Sequence, residues 1–250
     1  MELAGKTVLI TGGRRVGAAL AVLLASRGAN IAMSYFRSRE RIEAVCDEVR
    51  QQGVGARAIA ADLRQADNAE RLVEQTVAEL GSLDVLVNMA SEFHPTPIGS
   101  LTSAEIDASV ASNLLGPCYV ALAAANAMRR QPVVDGLQGK IINFVDWGVE
   151  RPYRNFLPYF IAKGGLATAT KALAVELAPT IAVNAIAPAM IDPPPDLTAD
   201  DIEHIRRQSP LQRVGCPEDV NRLVLYLLEG TDFATGSIYR VDGGRFLGVE

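Results

Sequence analysis

Short apolar segments alternate with longer amphipathic segments along most of the chain. Seven apolar runs, rich in β-branched and aliphatic residues, cover residues 6–11, 30–35, 56–62, 83–88, 139–145, 180–187 and 237–241. Helical periodicity fills the intervals near 16–28, 38–53, 66–80, 102–112, 113–131, 157–178 and 217–229. Parallel strands need crossover connections, and these are right-handed. The pattern therefore predicts an α/β fold, a doubly wound parallel sheet of seven strands with helices on both faces.

The length of the chain fits one large α/β unit, so we expect a single domain over residues 1–250. One long irregular stretch, 188–216, includes the sequence DPPPDLT at 192–198. Three consecutive prolines make a stiff, extended segment, which indicates one wall of a substrate lid.

Charge and cysteine usage exclude several classes of protein. The formal net charge is -5 with no basic stripe, which argues against a nucleic-acid partner and favours a small-molecule substrate. The three cysteines are far apart and neither histidine lies near them, so no disulfide and no metal site is expected. The N-terminal segment lacks the pattern of a signal peptide, and no run approaches a membrane span. A soluble, cytoplasmic protein without a membrane partner is predicted.

The sequence TGGRRVG, residues 11–17, joins the first strand to the first helix. Glycines at such a turn let a pyrophosphate approach the backbone, and the helix N-terminus offers free N–H groups to it. A glycine-rich turn is a weak signal alone, but its position after the first strand favours a dinucleotide site.

The second strand ends in YFRSRE, with Arg37, Ser38 and Arg39 at the place where NAD enzymes carry an acidic residue. A carboxylate there would repel a 2′-phosphate, whereas a guanidinium can bind it through two hydrogen bonds. These residues favour NADPH as the cofactor. The alternative is that both arginines belong to the solvated start of a helix.

Tyr159 and Lys163 are four residues apart at the start of the helix after the fifth strand, so they lie on one helix face. A nearby ammonium stabilises a phenolate, so we expect Lys163 to lower the pKa of Tyr159 and to make it a better proton donor. The alternative is a packed tyrosine beside a solvated lysine.

Taken in order, these motifs resemble the short-chain dehydrogenase/reductase family, and Thr11, Gly12, Arg15 and Gly17 resemble the glycine turn of its pteridine reductase branch. The turn has one residue fewer between Gly12 and Arg15 than is usual. The resemblance implies a Rossmann-type sheet and a NADPH site formed by Thr11, Gly12, Arg14, Arg15, Val16, Gly17, Arg37, Ser38, Asp62, Leu63, Asn88, Ala90, Tyr159, Lys163, Pro188, Met190 and Ile191.

Asp146 stands thirteen residues before Tyr159, where most of that family has a serine that donates to the substrate carbonyl. An ionised aspartate would oppose the negative charge that develops on a carbonyl oxygen during hydride attack. A C=N nitrogen gains a proton instead, which a carboxyl group can supply or stabilise. Asp146 therefore favours an imine-like substrate, and pteridine reductases also carry Asp at this place.

The resemblance also implies the remaining members of the site. Asn113 would complete the proton relay through a water, although it could instead be a helix N-cap. Phe93 would stack on the pterin ring, although a lone phenylalanine is more often a core residue. The implied catalytic set is Tyr159, Lys163, Asp146 and Asn113, and the implied substrate contacts are Arg15, Ser91, Phe93, Asp146 and Tyr159.

The sequence thus predicts an enzyme that reduces the C=N bond of a dihydropterin or dihydrofolate with NADPH. Two alternatives stay open. One is a carbonyl reductase, such as a 3-oxoacyl thioester reductase, with Asp146 protonated and donating like a serine. The other is a non-catalytic NADPH-binding scaffold. The turn VDGG at 241–244 resembles the family's C-terminal interface turn, and the family is commonly tetrameric, so a homotetramer is expected.

Overall fold

The strands of the computed structural model, which describes residues 1–13, 15–193 and 197–248, all run parallel in one sheet. They are β1 (Thr7–Thr11), β2 (Asn30–Tyr35), β3 (Ala56–Ala60), β4 (Val85–Asn88), β5 (Gly139–Phe144), β6 (Ile181–Pro188) and β7 (Ile238–Val241). Their order across the sheet is β3-β2-β1-β4-β5-β6-β7. The order reverses between β1 and β4, as expected of a doubly wound sheet, and the predicted fold is confirmed.

Eight α-helices connect these strands in the described part of the chain. They are α1 (Val16–Ala25), α2 (Arg39–Arg50), α3 (Ala66–Leu80), α4 (Ser103–Val110), α5 (Gly116–Met128), α6 (Leu157–Leu177), α7 (Ala199–Arg207) and α8 (Pro217–Leu225). The helix α7 lies inside the stretch that was expected to be irregular. Its N-terminus is stabilised by a capping box, in which Thr198 and Asp201 exchange side-chain-to-backbone hydrogen bonds.

The two faces of the sheet bury separate clusters, because successive residues of a strand point to opposite sides. Val8 and Ile10 pack with residues of α1, α2 and α8 on one face. Leu9 packs with residues of α3, α5 and α6 on the other. Apolar side chains that alternate along β1 thereby fix helices on both faces, and the loops at the carboxyl ends of the strands remain open to a ligand.

The amino ends of the strands are closed by paired charges. Lys140 in β5 is buried, and its ammonium donates to the carbonyl oxygens of Leu227, Leu228 and Thr231 at 2.8, 2.8 and 2.7 Å. It also lies 2.6 Å from the carboxylate of Asp232. These four oxygens compensate the burial of the charge and tie β5 to the segment after α8.

The helical run Ser103–Met128 has the length and apolar composition of a membrane-crossing helix, contrary to the expectation that no such run exists. These properties are weak evidence for a membrane span, because the core helices of soluble proteins share them. Within the run, α4 contacts α6 and α5 contacts α3 and the strands β4 and β5. These contacts bury 39% of its most apolar window.

Candidate active site

A cleft with a volume of about 570 Å³ lies at the carboxyl ends of the first four strands. Nine of the predicted cofactor or substrate residues line it, namely Gly12, Arg15, Val16, Arg37, Ser38, Asp62, Leu63, Ala90 and Ser91. Arg14, another predicted contact, lies outside the described residues. The first helix begins at the same cleft without an acidic residue in its first turn, which suits an anion there.

The glycine turn is shaped by close backbone approach. Gly12 and Gly13 have φ values of +63° and +80°, which side-chain-bearing residues rarely adopt. A Cβ atom on Gly12 would stand 2.8 Å from the Cα of Ala90, so a larger residue would push the loops after β1 and β4 apart. These features fit a turn whose backbone lies against a dinucleotide pyrophosphate.

Two predicted cofactor residues, Thr11 and Asn88, lie beneath the cleft rather than on its wall. The Thr11 hydroxyl donates to Asn88 Oδ1 at 3.3 Å and accepts from the N–H groups of Met89 and Ala90. The Asn88 amide donates to the carbonyl of Pro117 and to the side chain of Asn143. Their side chains are used to join β1, β4 and β5, so they hold the floor of the cleft in place.

Arg15 lines this cleft and also contacts the loop after β6. Its guanidinium donates to the carbonyl oxygen of Asp192 and lies 4.0 Å from the Asp192 carboxylate. This contact links the glycine turn to the loop after β6. Gly17, also predicted as a contact, is buried at the start of α1 beneath the turn.

Two guanidiniums flank the exposed ring of Phe36 at the end of β2. The Cζ atoms of Arg37 and Arg64 lie 5.1 and 5.0 Å from the ring centroid. Arg64 also donates two hydrogen bonds to the carboxylate of Asp62, at 2.8 and 2.7 Å, and these hold the pKa of Asp62 below its usual range. Arg64 was missed by the sequence analysis, although its position two residues after Asp62 was a signal.

A direct hydrogen bond joins Tyr159 and Asp146, two of the predicted catalytic residues, which form the predicted reactive pair. Tyr159, the third residue of α6, donates its hydroxyl to Oδ2 of Asp146 at 3.0 Å. Asp146 Oδ1 accepts from the backbone N–H of Gly148 at 2.7 Å, because Asp146 caps the short 3₁₀ turn Trp147–Val149. That second contact fixes the orientation of the carboxylate toward the tyrosine.

Lys163 lies one helical turn after Tyr159 and is fully buried, so it is not the solvated lysine of the alternative interpretation. Its ammonium donates to the carbonyl of Phe144 at 2.7 Å, and its Nζ is 5.8 Å from the centroid of the Tyr159 ring. Burial lowers the pKa of Lys163 to about 8, against the opposing effect of Asp146.

The pKa of Tyr159 moves in the direction opposite to the predicted one. Burial raises it well above its usual value, and the neighbouring Asp146 raises it further. Burial also raises the pKa of Asp146, because desolvation disfavours its charged form more than Gly148, Tyr159 and Lys163 favour it. Burial therefore opposes the ionisation of both groups.

Asn113 occupies the centre of a π-helical turn, Ala111–Leu115, between α4 and α5. It is therefore not an N-cap, and the predicted helix boundary at 112–113 is wrong because the wider turn continues the helix. Its Oδ1 accepts from the Ser91 hydroxyl at 2.8 Å and from the Glu92 N–H at 2.9 Å. Its amide donates to the Glu92 carbonyl at 3.0 Å. These contacts anchor the loop after β4 beside Tyr159.

Phe93 lies on that loop, is 45% exposed and belongs to an aromatic cluster. One face of its ring stacks on Phe156 at a centroid distance of 4.3 Å, and its centroid is 4.9 Å from that of Tyr159. Phe156 was not identified from the sequence. Tyr153 continues the cluster toward Trp147, whose ring is 5.8 Å away. The cluster forms an apolar wall beside the reactive pair, in which the rings of Phe93 and Phe156 are parallel and Tyr153 is nearly perpendicular to Phe156.

The predicted nicotinamide-side residues follow β6. Met190 and Ile191 border a second cavity of about 340 Å³, and the Met190 carbonyl accepts from the Gly215 N–H at 3.2 Å. Pro188 is the last residue of β6.

Over residues 1–13, 15–193 and 197–248, no group of three metal-ligating side chains occurs.

Comparisons with known proteins agree with this arrangement. A protein-family model described as Enoyl-(Acyl carrier protein) reductase matches residues 13–245. The curated 3-oxoacyl-[acyl-carrier-protein] reductase FabG of Staphylococcus aureus is 34% identical over 249 residues, which cover 97% of this chain and 98% of that protein.

Solved structures give the same picture. FolM, alternative dihydrofolate reductase 1 from Brucella canis complexed with NADP, is 33% identical with a TM-score of 0.88, covering 100% of this chain and 98% of that chain. A short-chain dehydrogenase/reductase from Serratia marcescens is 32% identical with a TM-score of 0.89, covering 98% and 100%. These similarities extend over nearly the whole chain, and the chain belongs to the short-chain dehydrogenase/reductase family of oxidoreductases.

Proposed function

We propose that this oxidoreductase uses NADPH. The support is the cleft with its glycine turn, the Arg37 and Ser38 side chains at its far wall, and the similarity to a FolM structure complexed with NADP. Arg37 has no carboxylate within salt-bridge distance among the described residues, so its charge is available for a 2′-phosphate. When bound, NADPH supplies a hydride to a polarised double bond.

Residues of the chain itself hold and transfer the proton that the reduction requires. The single observation that carries the proposal is the hydrogen bond from Tyr159 to Asp146. Burial raises the pKa of both groups, so each holds a proton more readily than in water. Lys163, whose pKa is about 8, is close enough to stabilise the negative charge left when a proton departs. This arrangement delivers a proton to an acceptor atom beside Tyr159.

We propose that the acceptor is the nitrogen of a C=N bond in a dihydropterin or dihydrofolate. A nitrogen that gains a proton is stabilised by a carboxylate, whereas a developing oxyanion is repelled by one. Phe156 covers one face of the Phe93 ring, which is 45% exposed, so its other face can take a flat heterocycle. Such stacking adds about 0.5–1.5 kcal/mol beyond area burial. The dihydrofolate reductase named among the similar structures supports this choice.

A 3-oxoacyl thioester is the second candidate substrate, and the names of the curated relatives favour it over a pterin. The FabG proteins match along nearly the whole chain. In this case Asp146 must be protonated, so that it donates to the carbonyl oxygen as a serine would. The raised pKa of Asp146 supports that possibility, because it increases the protonated fraction.

One panel of assays separates the two candidates. NADPH oxidation is followed with dihydrobiopterin, dihydrofolate and acetoacetyl-coenzyme A, using the wild type and Asp146→Ser. A pterin reductase loses turnover on pterins in the variant and gains none on the thioester. A 3-oxoacyl reductase turns over the thioester in the wild type and keeps or increases that rate with serine. Asp232→Ser is the control, since Asp232 lies near the amino ends of the strands.

Three further expectations belong to the same proposal. Residues 188–216, within a single domain spanning 1–250, act as a substrate lid that includes α7; residues 194–196, with two of its three consecutive prolines, lie outside the described residues. The protein works in the cytoplasm on a small molecule. It assembles as a homotetramer.

A further inference from the structure

The second cavity, of about 340 Å³, lies between the loop after β6, helix α7 and the C-terminal turn after β7. Apolar side chains of Met190, Ile191 and Leu211 form part of its lining. Three arginines also border it, Arg213, Arg240 and Arg245. Such a mixture of apolar surface and fixed charge is typical of a site for an amphipathic ligand.

Two of these arginines are paired with carboxylates. Arg213 donates two hydrogen bonds of 2.6 Å to Asp219. Arg240 forms an ion pair with Glu150. Arg245 differs, because over residues 1–13, 15–193 and 197–248 no carboxylate lies within salt-bridge distance of it and its guanidinium donates to one side chain, the Gln208 amide oxygen.

Arg245 is nonetheless held firmly in place. It begins the short 3₁₀ turn Arg245–Leu247, and the Phe246 N–H donates to the Asp242 carboxylate at 2.8 Å. The Arg151 guanidinium donates to the carbonyl oxygens of Arg245 and Phe246 at 3.2 and 3.1 Å. These contacts fix the backbone at Arg245, and its side chain is held by the Gln208 amide oxygen and the Trp147 ring. A side chain restrained in this way loses less conformational entropy when it binds a ligand.

The same guanidinium reaches toward the reactive pair. Its Cζ lies 4.8 Å from the centroid of the Trp147 ring, and Trp147 directly follows Asp146. Burial lowers the pKa of Arg245, while the nearby Tyr153 and Asp146 raise it. Arginine stays protonated in proteins. A half-buried positive charge therefore stands between the cavity and the site of reduction.

We infer that Arg245 binds an anionic group on the part of the substrate remote from the reducible bond, so that the preferred substrates carry a carboxylate or a phosphate. The inference rests on the proposed function. Two sources of such an anion fit the two candidate substrates. Dihydrofolate carries carboxylates on its tail, and coenzyme A thioesters carry phosphates. A neutral dihydropterin lacks this group.

Matched substrate pairs test the inference. The KM values of dihydrofolate and dihydrobiopterin are compared, as are those of acetoacetyl-coenzyme A and the neutral acetoacetyl N-acetylcysteamine thioester. In Arg245→Gln the ratio of charged to neutral KM is expected to rise about 10- to 100-fold for the pair that the enzyme reduces, since a hydrogen bond to a charged group is lost. Arg245→Lys recovers part of that loss, and the control Arg222→Gln, at an exposed arginine of α8 outside the cavity, leaves the ratio unchanged.

A binding measurement keeps this test separate from the proposed function. Trp147 is the only tryptophan and lies against Arg245, so its fluorescence reports ligands at this place. If no substrate of the panel is reduced, the proposed function fails, and titrations with dihydrofolate, dihydrobiopterin and coenzyme A still decide the inference. Weaker binding of the anionic ligands alone in Arg245→Gln supports it. Equal changes for charged and neutral ligands, in KM or in binding, overturn it.

Discussion

The amino edge and the carboxyl edge of the sheet, where the parallel strands begin and end, differ in how fully they pair a buried positive charge. At the amino edge, the Lys140 ammonium meets three carbonyl oxygens and one carboxylate. At the carboxyl edge, the fully buried Lys163 ammonium has one carbonyl partner in the described chain. A charge with all its partners supplied stabilises a fold, whereas one with hydrogen-bonding capacity left over is ready to act on a ligand. We therefore expect Lys140 to contribute to stability and Lys163 to contribute to activity. The sequence alone does not show that both are buried.

The largest effect is expected at the carboxyl edge, from Tyr159→Phe. The ring keeps its packing against Phe93, but the proton donor is lost, so turnover should fall about 10²- to 10⁴-fold. Single-turnover NADPH oxidation measures the loss. Tyr153→Phe, in the same aromatic cluster, is the control and should stay within a few-fold of the wild type. Full activity in Tyr159→Phe would show that Tyr159 is not the proton donor, and the carboxyl edge would lose its proposed role in activity.

The amino edge should respond through stability instead. Lys140→Met leaves three carbonyl oxygens without their donor and leaves Asp232 paired with the N-terminal ammonium alone, so the free energy of unfolding should drop by about 3 kcal/mol. This is the lower end of the range for a broken buried pair, because Asp232 is partly exposed. Urea unfolding followed by circular dichroism measures the change. The exposed Lys171→Met should change it by less than about 0.5 kcal/mol.

A smaller effect is expected from Arg37, which lines the cleft at the carboxyl edge. In Arg37→Leu the charge proposed for the 2′-phosphate is lost, so the KM for NADPH should rise about 10- to 100-fold. The KM for NADH should not rise. The neighbouring Arg39→Leu is the control, since Arg39 begins α2 and is not part of the cleft wall. An equal rise for both cofactors would show that Arg37 serves packing rather than specificity.

The smallest effect is a pH dependence from Lys163, whose folded pKa of about 8 lies below its unfolded value. Between these two values the unfolded chain binds more protons, so this residue's contribution to stability rises with pH above about 8. Activity that needs the charged lysine falls over the same interval. Unfolding and rate profiles from pH 7 to 10 check both trends, and Lys163→Met should lack the stability increment.

The fold was predictable because alternating apolar runs reveal strands and their buried faces directly. Each of the seven strands begins or ends within two residues of its predicted bounds. Helix α7 was missed because the three prolines before it indicated an extended stretch and because the helix is short. The three-residue spacing of Ile202 and Ile205 was a helical signal. The sequence TADD at 198–201 is the capping signal that would have located it.

The site was predictable only where residues keep a fixed spacing on one element. Tyr159 and Lys163 share a helix face, so their proximity follows from the sequence. Contacts between loops do not, and the pairing of Phe93 with Phe156 depends on two connections folding against each other. The pKa of Tyr159 was predicted in the wrong direction because burial, a property of the whole fold, outweighs one neighbouring charge.

The two oxygens of Asp146 have unequal freedom. Oδ1 already accepts a backbone N–H, so a proton taken up by this carboxyl goes to Oδ2, the atom that faces Tyr159. There it becomes the donor, and the tyrosine oxygen becomes the acceptor. The phenolic hydrogen is then free for another acceptor, such as an atom of a bound substrate. A single protonation thus reverses the direction of one short hydrogen bond and frees the tyrosine hydroxyl to donate to a ligand.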